Sequence, residues 1–149
     1  MVGTSASVSL ALFGWMLLRW CRVAQRARRA ATAPASLSEL LTTTRRQMRL
    51  PRGVRIKLTE APLSPAVCGL FFPVILFPRA LAERFSPTQL RAVLLHELFH
   101  LKRGDVWVNL LQTLLQILYW WHPLLWLANA RIRRLREEAV DDCVYLRPT

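Results

Sequence analysis

Histidine is scarce in this chain. There are three in 149 residues, namely His96, His100 and His122. Acidic residues are also few: 9 Asp and Glu stand against 21 Lys and Arg, a formal net charge of +12. Cysteine is limited to Cys21, Cys68 and Cys143. That odd number, widely spaced and without a C-x-x-C pair, argues against a disulfide framework and fits a reducing compartment with three unreactive thiols. No internal repeat occurs. Aromatic residues are not interleaved with the basic ones as in RNA-binding surfaces, so nucleic acid is not expected as a partner despite the charge. Charge itself is missing from two stretches, Met1 to Leu18 and Val106 to Ala130.

The arginines follow those two stretches. Arg19, Arg22, Arg26, Arg28 and Arg29 trail the first, and Arg131, Arg133, Arg134 and Arg136 the second. Basic residues behind an apolar segment fit the positive-inside rule. With Trp20 and Cys21, the first stretch approaches the roughly 20 apolar residues of a spanning helix. A signal peptide carries its charge before the apolar core, so residues 1–21 are expected as a retained transmembrane anchor. Met1 is then outside and everything after Arg19 in the cytoplasm, which places the protein in a cell membrane. Residues 22–36, ending in "AATAPAS", read as a basic juxtamembrane linker.

Residues 37–149 read as one further domain. Ser36 and Glu39 have capping-box spacing and predict a helix from about Leu37 to Arg49, ended by Pro51 and Gly53. In "VRIKLTE", Val54, Ile56 and Leu58 alternate with Arg55, Lys57 and Thr59, as in a half-buried strand. "AVCGLFFPVILFP" predicts two short strands, about Ala66 to Leu70 and Val74 to Phe77, one at a sheet edge where proline is tolerated. Ser86, Pro87 and Gln89 open a helix that Gly104 closes. The second uncharged stretch predicts two helices meeting near His122 and Pro123, against or partly within a membrane. Trp107, Trp120, Trp121 and Trp126 suit the membrane interface. The fold class is α+β, mainly helical, with a small antiparallel sheet and an N-terminal transmembrane helix.

Two of the scarce histidines lie on the best-marked helix, within "LLHELFHLKRGD". His96 and His100, four apart, share one helix face. Two neutral imidazoles on adjacent turns suit Zn2+, which takes three protein ligands in catalytic sites and keeps a fourth position for water. Glu97 points to the same cleft without ligating, as the general base of an H-E-x-x-H site. Burying its charge among Leu94, Leu95, Leu98 and Phe99 would be costly without a partner. A third histidine on the same segment is excluded, because Arg103 and Val106 stand where the extended motif needs glycine and histidine. The remaining source is a downstream carboxylate: Glu137, Glu138, Asp141 or Asp142. Glu137 and Asp141 share a helix face, as do Glu138 and Asp142, so either pair offers a ligand plus an acceptor that steadies a ligand histidine.

Three ordered blocks resemble the BlaR/MecR family of membrane zinc metallopeptidases, from about Thr43 to Leu146. They are "GLFFPVILFP", "LRAVLLHELFHLKRGDVWVNLL" and "WWHPLLWLANARIRRLREEAVDDCV", the middle one carrying H-E-x-x-H-x-x-R-x-D. The resemblance implies a gluzincin-like core among membrane helices. It makes His96, His100 and Glu137 the zinc ligands, Glu97 the base and Asp141 the acidic residue one turn beyond Glu137. It implies hydrolysis of peptide bonds in a cytoplasmic or membrane-near protein, in signalling, with a repressor or the chain itself as substrate. The edge around Gly69, Leu70, Phe71 and Phe72 would receive that substrate as an added strand. Membrane lipid and a partner membrane chain are the other expected partners. Val140 stands in place of the family's usual cysteine and His122 in place of its asparagine. His122 is expected to cap the next helix, with stabilisation of the oxyanion as the weaker alternative. Family members carry more helices, so the competing expectation is a truncated, non-enzymatic remnant or adaptor.

Overall fold

The computed structural model describes residues 2–50, 53–61 and 64–145. Pro51, expected to stop a helix, and Leu146, at the end of the resemblance, lie outside them. The elements in chain order are α1 (Val2–Arg29), β1 (Ala31–Thr32), α2 (Ala35–Gln47), β2 (Arg55–Thr59), β3 (Ala66–Cys68), β4 (Val74–Pro78), α3 (Arg79–Arg84), α4 (Pro87–Arg103), α5 (Asp105–Leu118) and α6 (Pro123–Tyr145). The fold is α+β and mainly helical.

α1 runs unbroken across the expected end of the anchor. Among the described residues it is the one helix long and apolar enough to cross a membrane, over Ala6–Arg29. α5 has 14 residues, about 21 Å at 1.5 Å per residue, which falls short of a ~30 Å hydrocarbon layer. The stretch expected to be a linker is partly ordered: Ala31 and Thr32 pair antiparallel with Leu58 and Lys57. Lys57 Nζ donates to the Ala27 carbonyl at 2.8 Å, joining the sheet to the last turn of α1. The start of α2 also differs from expectation. Pro34 is the N-cap, with no side-chain cap bond, so the helix has begun before Ser36 could cap it. Proline is tolerated there because its fixed φ is compatible with the extended backbone, ψ 153°, of the N-cap position.

The four strands lie in the order β1-β2-β4-β3. The sheet is mixed rather than antiparallel. β3 and β4 form an antiparallel hairpin, Val67 opposite Ile75. β4 then runs parallel to β2, Ile56 opposite Ile75. The cause is the hairpin's placement: β3 takes the outer edge, so β4 enters the sheet alongside β2 in the same direction. Gly69 turns the hairpin with φ +92°, and a Cβ there would lie 2.5 Å from the Phe72 carbonyl oxygen. Only glycine avoids both the backbone strain and the clash.

The apolar faces of α2, α4 and the sheet meet in one core. Ile75, Phe77, Leu94, Leu98 and Val140 have no exposed surface. α4 follows from its ends. Ser86 Oγ accepts from the Gln89 amide and Gln89 Oε1 from the Ser86 amide, a complete capping box. Gly104 closes the helix in the left-handed region at φ 73°. Its Leu94, Leu95, Leu98 and Phe99 enter the core, which turns His96 and His100 toward α6. Val140 packs into the core from α6, which accounts for an aliphatic residue at that position.

Candidate metal centre

α4 and α6 bring three potential ligand atoms together. His96 Nε2 and His100 Nε2 are 3.1 Å apart. Glu137 Oε2 lies 3.7 Å from the first and 3.5 Å from the second. A triangle with these sides has its centre about 2.0 Å from each corner, and an ion of the size of Zn2+ binds imidazole nitrogen and carboxylate oxygen at roughly 2.0–2.2 Å. The outer ring nitrogens are held by carboxylates. His100 Nδ1 is 2.6 Å from Asp105 Oδ2, and His96 Nδ1 is 3.2 Å from Asp141 Oδ1. The hydrogen bond to Asp105 fixes the His100 proton at Nδ1, and the Asp141 carboxylate beside His96 Nδ1 favours the same tautomer there. Both Nε2 lone pairs then face one another and the Glu137 carboxylate. Such a set of donors repels itself unless a cation sits among them, so the side chains present fit a metal.

The four downstream carboxylates separate cleanly. Glu137 and Asp141 face the imidazoles, while Glu138 pairs with Arg134 at 2.9 Å on the exposed side. Asp142 is exposed. His122 stands exposed ahead of α6, its carbonyl accepting from the Leu125 amide at 3.2 Å; it lies outside the cluster.

Glu97 is buried, 8% exposed. Burial pushes its carboxyl from 4.5 up to about 7. His100 pulls it down, Glu137 pushes it up, and a hydrogen bond from the Val67 backbone pulls it down. The Val67 bond shows that the edge strand borders the site. Burial, then Glu97 itself, raises the Cys68 thiol. The predicted edge residues sit differently. The strand is Ala66–Cys68, and Gly69, Leu70, Phe71 and Phe72 form the turn beyond it. Proline at 73 and the positive φ of Gly69 end the strand early. Phe71 stacks edge-on to Trp107 with ring centres 5.5 Å apart. A groove of about 990 Å³ lies between α1, this turn and α5, and shares Val67 and Cys68 with the site's border.

Two residues given no role on sequence grounds complete the centre. Asp105 opens α5 directly after Gly104 and reaches back to His100. Arg136 crosses from α6 to Asn109 Oδ1 at 2.6 Å and Gln112 Oε1 at 3.0 Å on α5. The signal for Asp105 was an acidic residue immediately after the stop glycine of the motif helix. Arg136 looked like one more member of a basic run.

The BlaR1 peptidase M56 family model matches residues 5–147. The chain belongs to that family. Among curated proteins, the regulatory protein BlaR1 of Bacillus licheniformis is 34% identical over 110 residues, 72% of this chain and 18% of its own length. The methicillin resistance mecR1 protein of Staphylococcus aureus is 27% identical over 78 residues, 52% of this chain and 13% of its own length. The mecR1 protein of Staphylococcus epidermidis matches at the same level. The chain thus spans less than a fifth of these relatives. Membership in this M56 family supports a metal at the cluster of His96, His100 and Glu137.

Proposed function

We propose that the chain is a membrane-anchored zinc endopeptidase that cuts a cytoplasmic or membrane-near protein in a signalling process. The observation that carries this reading is the convergence of His96, His100 and Glu137, each imidazole steadied at Nδ1 by its own carboxylate. His96, His100 and Glu137 would hold a zinc ion, which would supply Lewis-acid activation of a water and of the scissile carbonyl. Glu97, with its carboxyl raised to about 7, takes a proton from the attacking water and returns it to the leaving amine, because a base is most effective when its pKa lies near the working pH. Ala66–Cys68 receives the substrate in extended form, a repressor or a second copy of the chain being the substrate classes to test.

Several observations support attachment to a membrane. The Ala6–Arg29 segment is long and apolar enough to span. Trp107, Leu111, Leu118, Trp121, Leu124 and Trp126 on or beside α5 and α6 are exposed, and large apolar side chains in that number suit lipid or a partner membrane chain better than water. The arginines at the end of α1 favour a cytoplasmic site.

Metal analysis and two substitutions test the reading. Purified protein should hold about one zinc per chain. Glu97→Gln should keep the metal and lose roughly 10²–10⁴-fold in cleavage rate, while His96→Ala should lose both metal and activity. Cleavage at the wild-type rate by a zinc-loaded Glu97→Gln protein would remove the general base from the proposal.

A further inference from the structure

We propose that Arg136 is a positioning residue for the metal centre, acting through Asp105 on His100; this rests on the reading of His96, His100 and Glu137 as metal ligands. Asp105 is buried, with 7% of its side chain exposed, and its two oxygens divide their work. Oδ2 meets His100 Nδ1 at 2.6 Å, while Oδ1 faces Arg136 Nη1 at 3.6 Å. Arg136 is itself 10% exposed at the side chain. Arg103 is the other cation near Asp105, but it stands at 4.0 Å and is 36% exposed. A buried carboxylate needs a buried partner to hold its charge and orientation, and Arg136 is the cation placed to do so.

The guanidinium is itself fixed. Its Nη2 donates to Asn109 and Gln112, and its Nη1 to the Asp105 backbone carbonyl at 3.4 Å. A planar fork with several donors can satisfy all of these at once, whereas a lysine ammonium on the same stem cannot. Arg136 therefore ties the first two turns of α5 to α6 at the level of the site. Removing it frees Oδ1, so the carboxylate can turn away from His100. The ring then loses the acceptor that holds its Nε2 toward His96 and Glu137. Arg136 touches neither substrate nor metal, so its effect is on affinity for the ion.

The test uses the full chain in detergent, with zinc affinity read by chelator competition and Co2+ substituted for its absorption spectrum. Loss of an orienting carboxylate typically weakens binding by about 10–100-fold. Asp105→Asn should fall in that range. Arg136→Gln should weaken binding by about tenfold and alter the Co2+ bands, Arg136→Lys should recover part of the loss, and Arg103→Gln should leave affinity within about twofold. The double variant Asp105→Asn/Arg136→Gln should bind no more weakly than Asp105→Asn alone, because the two act in one line. Wild-type affinity in Arg136→Gln, or fully additive losses in the double variant, would overturn the inference. If Arg136→Gln does not fold, Arg136→Lys carries the same comparison with Asp105→Asn. A wild-type chain that binds neither zinc nor Co2+ refutes the metal reading itself, and the inference falls with it.

Discussion

Replacing Glu97 with glutamine removes a charge from surroundings that disfavour it, and the consequence is measurable without any substrate. In the unfolded chain the carboxyl titrates near 4.5, and in the fold near 7. Between those values the folded state keeps a proton that the unfolded state has released. Stability therefore falls as pH rises from about 5 to 7, and above 7 the whole cost is present. Raising the carboxyl that far amounts to roughly 3 kcal/mol. The glutamine variant has the same shape and no such titration. In chelator-treated protein, wild type and Glu97→Gln should unfold at nearly equal denaturant concentration at pH 4.5. At pH 8 the variant should be more stable by a few kcal/mol. Subtracting the two pH curves removes the titrations the proteins share and leaves that of Glu97 together with its coupling to His100 and Glu137. Parallel curves from pH 4.5 to 8 would show that Glu97 is not held in apolar surroundings, and the argument for a base poised near neutrality would fail.

Other outcomes follow from the same geometry. Glu137→Gln should weaken zinc binding severely, while Glu138→Gln, whose partner Arg134 is exposed, should leave it unchanged; equal losses in a chelator titration would contradict the assignment of α6's inner face. Gly69→Ala should destabilise by roughly 1–3 kcal/mol through its positive φ and the contact with Phe72, and an unchanged melting temperature would refute that. A reporter active only outside the cell, fused after residue 30, should stay silent, and a strong signal would reverse the proposed orientation.

What could be read from the sequence was mostly local. The capping box at Ser86, the stop at Gly104 and the i, i+4 histidines all lie within one helix, so α4 and the shared face of His96 and His100 were legible. Alternation in "VRIKLTE" marked β2 for the same reason. Pairing was not legible. Nothing local distinguishes a β4 that lies beside β2 from one that lies beyond β3, and β1 exists only because Ala31 and Thr32 find Leu58 and Lys57. The strand expected to reach Leu70 stops at Cys68, because Gly69 adopts a backbone angle that ends the ladder. α3 gave no apolar period in its six residues. The choice between Glu137 and Glu138 needed the resemblance, since both have a partner one turn away. Asp105 and Arg136 act on residues five and 31 positions distant, a relation carried by the packing of α4, α5 and α6.

If the proposed peptidase reading holds, the brevity of β3 sets how its substrate would be chosen. In an antiparallel hairpin, successive residues of the edge strand turn their backbone groups alternately inward and outward. Val67 gives a hydrogen bond to Glu97, so Val67 is the outward one, and Ala66 and Cys68 are spent on β4. An extended segment laid along this edge meets one residue's amide and carbonyl, and the amide already has a carboxylate beside it. Backbone hydrogen bonds contribute about 1 kcal/mol each. An edge this short can align a peptide but holds it weakly. On the proposed peptidase reading, affinity and selectivity would come from the substrate's side chains and from its confinement near the same membrane, so that local concentration would do the work of a long binding cleft.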